Sequence, residues 1–209
     1  GGLMESPPRY IKLDYGTFSG NLIRQGGTFL GTTNKGNPFK YPMPDGTFKD
    51  RTTEIVGGYH ELGLDGLIVI GGDGSMKIIK EIADKGNLNI VASPKTIDND
   101  VGATESSIGF HTAVDVATNA LDNLQFTAAS HSRTMILEVM GRDAGHIALN
   151  AGIAGGADVI LIPEINYTID GIIKKLKQLS SYGIKHSLII VAEAVKQENG
   201  KNSTVKFAD

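Results

Sequence analysis

Short apolar runs alternate with segments of helical periodicity from about residue 52 onward. The runs lie at 67–70, 90–92, 135–140, 159–162 and 188–191. Apolar side chains recur at helical spacing in 52–63, around 78–83, in 106–124, 144–154 and 168–181. The first run, which is short and bounded by glycines, is typical of a parallel strand buried on both faces. The alternation predicts an α/β fold with mostly parallel sheets, flanking helices and two α/β lobes.

Composition excludes several classes of protein. The net charge is −3, from 20 Lys and Arg against 23 Asp and Glu, which is not the basic balance of a nucleic-acid-binding protein. The absence of cysteine excludes disulfides and thiolate zinc sites and is compatible with the cytosol. No apolar run approaches the ~18 residues of a membrane span, and residues 1–5 lack the apolar stretch of a signal peptide.

Glycines follow the first run, in the segment Gly71-Gly72-Asp73-Gly74-Ser75, and a helical pattern follows them. A helix N-terminus favours anions, and glycines let a phosphate approach the backbone. Asp73 would repel a phosphate unless a cation lies between them, and Mg²⁺ is usually held by one or two carboxylates plus phosphate and water. The segment predicts an anion site that suits a phosphate; the alternative is a tight turn with Asp73 as a helix cap.

Two carboxylates lie two residues apart after the second run, in the segment 95–101. In an extended segment, Asp98 and Asp100 would point to the same side and form an acidic pocket for a metal and a proton. A hydroxyl that attacks phosphorus needs such a proton acceptor, and Lys95 offers a positive charge to a phosphoryl oxygen. The alternative is a capped loop, since Asp and Asn are common in turns.

Charged side chains also lie next to the later runs. Arg142 follows a glycine at the end of the third run, which suits bidentate recognition of a phosphate or carboxylate. Asp143 is expected to cap the next helix. Glu193 follows the last run and can accept hydrogen bonds from sugar hydroxyls. Glu164 follows the fourth run in the same way, and a salt bridge is the alternative to hydrogen bonding there. Arg133 is either a solvated loop charge or an anion ligand.

The segments Gly-Gly-Asp-Gly-Ser, Pro-Lys-Thr-Ile-Asp-Asn-Asp and Met-Gly-Arg, in this order and spacing, resemble the phosphofructokinase family. The resemblance runs from about residue 20 to residue 195. It implies a phosphofructokinase-like fold and a glycolytic, cytoplasmic enzyme. Such an enzyme transfers a phosphoryl group from ATP, with Mg²⁺, to the 1-hydroxyl of fructose 6-phosphate, giving fructose 1,6-bisphosphate. It also implies a homodimer or homotetramer.

The resemblance gives each matching position a role. It implies a catalytic set in which Asp98 takes the proton of the sugar hydroxyl: Asp98, Thr96, Asp100, Arg142 and Lys95. It implies contacts with the donor phosphates by Gly71, Gly72, Gly74 and Ser75, with Asp73 as the carboxylate associated with the metal. It implies a sugar-phosphate pocket lined by Thr96, Asp98, Arg133, Met140, Gly141, Arg142 and Glu193. Arg133 resembles an arginine that enters this pocket from a neighbouring subunit.

The donor signal is mixed. Gly74 resembles the ATP-using members of the family, because a small residue leaves room for the nucleotide. Lys95 is typical of the pyrophosphate-using members, although some ATP-using members also carry it. ATP is therefore the expected donor, and pyrophosphate is the alternative.

Three features depart from the family pattern. No Gly-Gly-Asp-x-Pro-Gly turn precedes or follows Leu3. The sequence stops at Asp209, whereas family members continue with further phosphate-binding Arg and His residues. Asn34-Lys35 stands where the family has an arginine, and Lys35 can reach a donor phosphate only as a point charge. The chain is therefore expected to be truncated at both ends and incompletely active alone. Its lobes are expected to be 1–105 for the donor and 106–209 for the sugar phosphate.

Two other functions stay open at this point. Lipid and NAD kinases also use Gly-Gly-Asp-Gly turns, but they are not expected to carry the Thr-Ile-Asp-Asn-Asp or Met-Gly-Arg segments. A regulatory subunit that binds nucleotide or sugar phosphate without turnover is the second alternative, and such a subunit has no need of an intact Asp98.

Overall fold

The computed structural model describes residues 1–32 and 36–196, so the predicted contact of Lys35 with a donor lies outside the described residues. Within these ranges the helices are α1 (Thr52–Glu61), α2 (Asp73–Gly86), α3 (Phe110–His131), α4 (His146–Ala154) and α5 (Ile169–Ser181). The strands are β1 (Tyr41–Pro42), β2 (Phe48–Lys49), β3 (Leu67–Gly71), β4 (Ile90–Pro94), β5 (Thr134–Val139), β6 (Val159–Leu161) and β7 (Ser187–Ala192). Single turns of 3₁₀ helix precede them at Gly2–Met4, Tyr15–Phe18 and Leu22–Arg24.

The predicted α/β fold is confirmed, with small shifts at the ends of its elements. The largest shift is in α3, which was expected over 106–124 and runs from Phe110 to His131. Its start is delayed because Gly109 adopts a left-handed backbone with φ 102°. Its apolar stripe continues past Leu124 through Ala128, which is fully buried and small enough to be overlooked in a periodicity count.

The chain divides into two compact units, and the first comprises residues 1–70 and 74–93. In this unit β3 and β4 run in the same direction, as the hydrogen bond from the Leu67 N–H to the Asn89 carbonyl at their starts indicates. Leu67 and Ile90 from these strands pack against an apolar cluster from α1, α2 and the turn that follows α2: Ile55, Tyr59, Ile82, Ala83 and Leu88. β1 and β2 form a separate antiparallel hairpin.

Within the described residues, the second unit comprises 71–73 and 94–196. Its sheet has the strand order β5–β7–β6, with both pairs parallel. Helices α3 and α4 pack against this sheet, and their apolar side chains form the larger core with Leu121, Ala148, Ala151 and Ile190 all fully buried. The division between the units therefore falls after Ser93, and Gly71–Asp73 belongs to the second unit. The predicted lobes were 1–105 for the donor and 106–209 for the sugar phosphate, and these roles stay predictions.

Burial on both faces was expected for β3, and this expectation is wrong; β4 and β5 are also exposed on one face. Ile68 and Ile70 of β3 are 78% and 63% exposed, Val91 of β4 is 66% exposed, and Ile136 of β5 is 65% exposed. Alternate side chains of a strand point to opposite faces, and in these strands only the alternate set packs against a helical core. β7 differs because it lies between β5 and β6, and its residues 187–190 are all buried.

Gly152 on α4 allows that helix to lie close to the sheet, and Gly152→Ala is expected to destabilise the fold. A Cβ at this position would lie 2.7 Å from side-chain atoms of Ile160 and 2.8 Å from Ile190. Overpacking of this kind costs about 1–3 kcal/mol. Urea unfolding measures the loss, with Gly102→Ala as the control, because a Cβ at Gly102 meets no atom within 4 Å. Equal stabilities of the two variants would contradict the packing argument.

Candidate active site

Gly71–Asp73 lies beside Lys95 and Thr96 in the second unit. β3 ends at Gly71 and α2 begins at Asp73, so Gly72 alone forms the turn between them. The Gly71 carbonyl accepts the Lys95 N–H at 2.8 Å, and a Cβ on Gly72 would lie 3.5 Å from the Thr96 Cβ. The predicted donor turn and the predicted reaction centre are therefore adjacent at these residues.

Gly74 and Ser75 lie in the first turn of α2, within the first unit. A Cβ built on Gly74 would meet no atom within 4 Å. Neither packing nor backbone conformation therefore requires glycine at this position.

The segment that carries Asp98 and Asp100 is bent, so the expectation of an extended segment is wrong. Asn99 between them adopts a left-handed backbone with φ 54°. Asparagine adopts this conformation several times more often than most residues, which is a local signal that the sequence contained. The two carboxylates nevertheless interact, since the negative charge of Asp100 acts on Asp98.

The Asp98 carboxyl is half-buried, and this burial raises its pKa above the ordinary value of 3.8. The negative charges of Asp100 and Glu193 raise the pKa further, while a hydrogen bond with the Thr96 side chain and the positive charge of Arg142 oppose the rise. A base is most effective when its pKa approaches the working pH. The surroundings of Asp98 thus favour proton uptake.

Arg142 lies in a constrained turn after β5. Its φ is 55° and that of Gly141 is 149°, and a Cβ on Gly141 would collide with the Ala144 carbonyl oxygen. The Arg142 guanidinium lies 3.8 Å from the Asp100 carboxylate and its side chain is 60% exposed. The arginine is therefore next to the two aspartates with much of its charge open to solvent.

Two glutamates hold the backbone of this turn. The Glu193 carboxylate, which follows β7, accepts the Arg142 N–H at 2.7 Å. The Glu164 carboxylate, which follows β6, accepts the Gly145 N–H at 2.8 Å. The sequence placed both glutamates at strand ends, but it carried no signal for these bonds, because they depend on the order β5–β7–β6.

Asp143 was expected to cap α4, and this expectation is wrong. The residue before α4 is Gly145, which has no capping side chain of its own, and the Asp143 side chain is 95% exposed. The bond from Gly145 to Glu164 takes the place of a local cap. Asp143 instead approaches Arg142, with 4.0 Å between the charged atoms.

The two remaining predicted residues, Met140 and Arg133, lie at opposite ends of β5. Met140 follows its carboxyl end and is 62% exposed beside Gly141. Arg133 precedes its other end, where the Arg133 carbonyl accepts the Ser187 N–H. A strand of this length spans roughly 20 Å, so Arg133 is not brought to the Arg142 end within one chain.

The donor atoms for a metal are few. Among residues 1–32 and 36–196, no group of three or more His, Asp or Glu side chains is close enough together to hold a metal ion. Mg²⁺ in phosphate chemistry usually takes one or two carboxylates, with phosphate and water as the other ligands. Asp73 at the start of α2 fits that limited role.

No helix in the described part of the chain is long and apolar enough to cross a bilayer.

These features define an α/β protein with two aspartates next to an arginine in its second unit. The family model for phosphofructokinase matches residues 1–208. The chain therefore belongs to the phosphofructokinase family.

Relatives and solved structures agree with this assignment. The chain is 60% identical over 204 residues to "ATP-dependent 6-phosphofructokinase 1" of Nostoc sp., covering 98% of this chain and 56% of that protein. It is 61% identical over 199 residues to the protein of the same name from Synechocystis sp., covering 95% and 55%. The chain thus spans about half the length of these relatives. Phosphofructokinase from Saccharomyces cerevisiae superposes with a TM-score of 0.70 at 31% identity, covering 85% of this chain and 26% of that chain.

Asp98→Asn is expected to stabilise the fold at neutral pH. Because the folded-state pKa of Asp98 is raised, its contribution to stability is complete below 3.8 and is lost as the pH rises through the folded-state pKa. Asparagine does not ionise and so does not lose this contribution. The variant should therefore have the higher free energy of unfolding only as the pH rises. Urea unfolding at acid and neutral pH measures the difference. Asp122→Asn, at an exposed position on α3, is the control for removing a charge, and an Asp98→Asn effect independent of pH would contradict the argument.

Proposed function

We propose that the protein transfers the γ-phosphoryl group of ATP to the 1-hydroxyl of fructose 6-phosphate, giving fructose 1,6-bisphosphate and ADP. The observation that carries the proposal is the grouping of Asp98, Asp100 and Arg142 at one place in the second unit. The grouping occurs in a chain that is 60% identical to a protein named as an ATP-dependent 6-phosphofructokinase.

Asp98 acts as the general base. Its carboxylate accepts the proton of the 1-hydroxyl as that oxygen attacks the γ-phosphorus. The bond from the γ-phosphorus to the bridging oxygen breaks, and ADP leaves with the electron pair. The raised pKa of Asp98 supports this role, because a carboxyl group with an ordinary pKa is a weaker proton acceptor at neutral pH.

Arg142 neutralises negative charge on the transferring group and orients the acceptor. Phosphoryl transfer depends mainly on positioning and on electrostatic stabilisation. Glu193 holds the Arg142 backbone through one carboxylate oxygen, and a second oxygen can accept a hydrogen bond from a sugar hydroxyl. Thr96 and Lys95, next to Gly71 and Gly72, complete the set facing the donor.

Asp73 is the carboxylate of this chain that would hold Mg²⁺ together with the donor phosphates. The ion supplies charge neutralisation at the phosphates when it is bound. The contacts of Arg133 with a second copy, a homodimer or homotetramer, and a cytoplasmic location belong to the same proposal.

Donor use is the test of this function. Fructose 6-phosphate and Mg²⁺ are supplied with ATP or with pyrophosphate, and formation of fructose 1,6-bisphosphate is followed. The assay uses the longest form of the protein that can be expressed, with the 209-residue chain beside it. Turnover with ATP is the expected result, and Asp98→Asn should reduce it by about 100-fold or more.

Turnover with pyrophosphate alone would mean that Lys95, rather than Gly74, indicates which donor is used, and that the ATP assignment is wrong. Absence of turnover with either donor, while sugar phosphate still binds, would favour a regulatory subunit instead.

Gly74→Asp is expected to reduce the use of ATP without harming the fold. Because a Cβ at Gly74 has open space, the substitution requires no repacking, and acidic residues are favourable in the first turn of a helix. A carboxylate facing donor phosphates at about 4 Å is repelled by roughly 4 kcal/mol. Even a partly screened repulsion should lower kcat/KM for ATP by about 100-fold. Gly74→Ala adds volume without charge and should change it far less; an unchanged value in Gly74→Asp would remove Gly74 from the donor site.

A further inference from the structure

The loop between β4 and α3 carries both aspartates of the candidate site, and its two ends are fastened together. Lys95 and Ile108 form a parallel bridge, and the Ile108 N–H donates to the Pro94 carbonyl at 3.0 Å. The chain thus leaves the strand end at Lys95, passes through Asp98 and Asp100, and returns beside its starting point.

The side chain of Asn99 crosses this loop with two hydrogen bonds. Its Oδ1 accepts the Ser107 N–H at 2.8 Å, and its Nδ2 donates to the Glu105 carbonyl at 3.2 Å. Ser107 is only 3% exposed, so its N–H has little access to water if Oδ1 is removed. A buried donor left without a partner is costly, and this bond therefore contributes strongly to the loop's shape.

Asparagine suits this position for two separate reasons. Its amide donates and accepts at once, which a carboxylate or a single hydroxyl does not do in the same geometry. It also tolerates the left-handed backbone, with φ 54°, better than most residues. The same residue therefore sets the turn of the backbone between Asp98 and Asp100 and ties that turn to the far side of the loop.

We propose that Asn99 is a positioning residue that holds Asp98 and Asp100 in their working orientation by bonding the opposite side of the loop. The proposal rests on the proposed function for its effect on turnover. In this role Asn99 acts through Asp98 and Asp100, because both hydrogen bonds of its side chain go to the loop backbone. The carboxylates of Asp98 and Asp100 must stay correctly placed relative to Arg142, whose guanidinium lies 3.8 Å from Asp100.

The ordinary alternative is that Asn99 is only a turn former. Asn87 provides a matched control, because it is also an asparagine with a left-handed backbone, at φ 48°, in the exposed turn after α2. Glycine tolerates the left-handed region at either position, so Asn99→Gly and Asn87→Gly keep the backbone and remove the side chain. Asn99→Ala removes the side chain and adds backbone strain, and it should be less stable than Asn99→Gly.

Two measurements test the proposal on the purified chain and on the longest form that can be expressed. Kinetics with fructose 6-phosphate and ATP should give a kcat about 100-fold lower for Asn99→Gly, since a displacement of about 1 Å has that effect on a positioned group. The KM for fructose 6-phosphate should change far less. NMR should report faster exchange of the Ser107 amide hydrogen and shifted Asp98 and Asp100 side-chain carboxyl resonances. Asn87→Gly should match the wild type in each of these quantities.

The outcomes separate this proposal from the proposed function. If the wild type turns over neither donor, the proposed function fails and the carboxyl resonances alone decide the positioning role. Unchanged carboxyl resonances in Asn99→Gly would overturn the proposal. An unchanged kcat in Asn99→Gly, with an active wild type, would overturn it as well, because the loop would then work without the bonds from Asn99.

Discussion

The middle strand β7 is the element on which the second unit depends. It pairs with β5 from Thr134 to Val139 and with β6 from Val159 to Leu161. Among residues 1–32 and 36–196, β7 is the strand that both of them pair with, so its loss would remove that pairing from each. The pairing with β5 continues one residue further, where the Glu193 N–H donates to the Val139 carbonyl at 3.0 Å. That extra bond brings the Glu193 carboxylate to the Arg142 N–H. Because a register shift of one residue reverses every side chain of a strand, the register of β7 decides whether this end of the sheet has a site.

The candidate site concentrates features that work against stability. Asn99 and Arg142 have left-handed backbones, and Asp98 is half-buried near two other carboxylates. Conformations of this kind persist where the surrounding structure holds them in place. Here that support is the bond from Arg142 to Glu193, with that from Gly145 to Glu164 beside it. The core of α3, α4 and the sheet supplies the stability that such an arrangement requires.

The sequence predicted the order and type of the regular elements because each strand is a separate apolar run and each helix has its own stripe. It also singled out Asp98, Asp100 and Arg142 as polar residues that follow strands. The structure places Arg142 next to Asp100 although β4 and β5 belong to separate sheets, and the roles of these residues stay predictions. The sequence failed to predict burial and capping where these depend on which other elements pack against a strand or a helix. The exposed faces of Ile68 and Ile136 follow from helices that cover one side only. The acceptor for Gly145 comes from a glutamate 19 residues away, whereas Asp143, two residues away, was the local expectation.

Glycines show how the structure separates what folding requires from what a ligand requires. A side chain at Gly145 would collide with Ile162, and one at Gly152 would crowd Ile160 and Ile190, so packing alone explains those glycines. Gly141 is explained by its positive φ and by the nearby Ala144 carbonyl. Gly74 has neither constraint, since a Cβ there would meet no atom within 4 Å. Gly57 of α1 is equally unconstrained, so open space alone does not identify a ligand site. Gly74 differs from Gly57 because it lies in the first turn of α2, next to Asp73. A helix N-terminus favours a phosphate group, and for that reason the donor contact of Gly74 stays a proposal that Gly74→Asp tests.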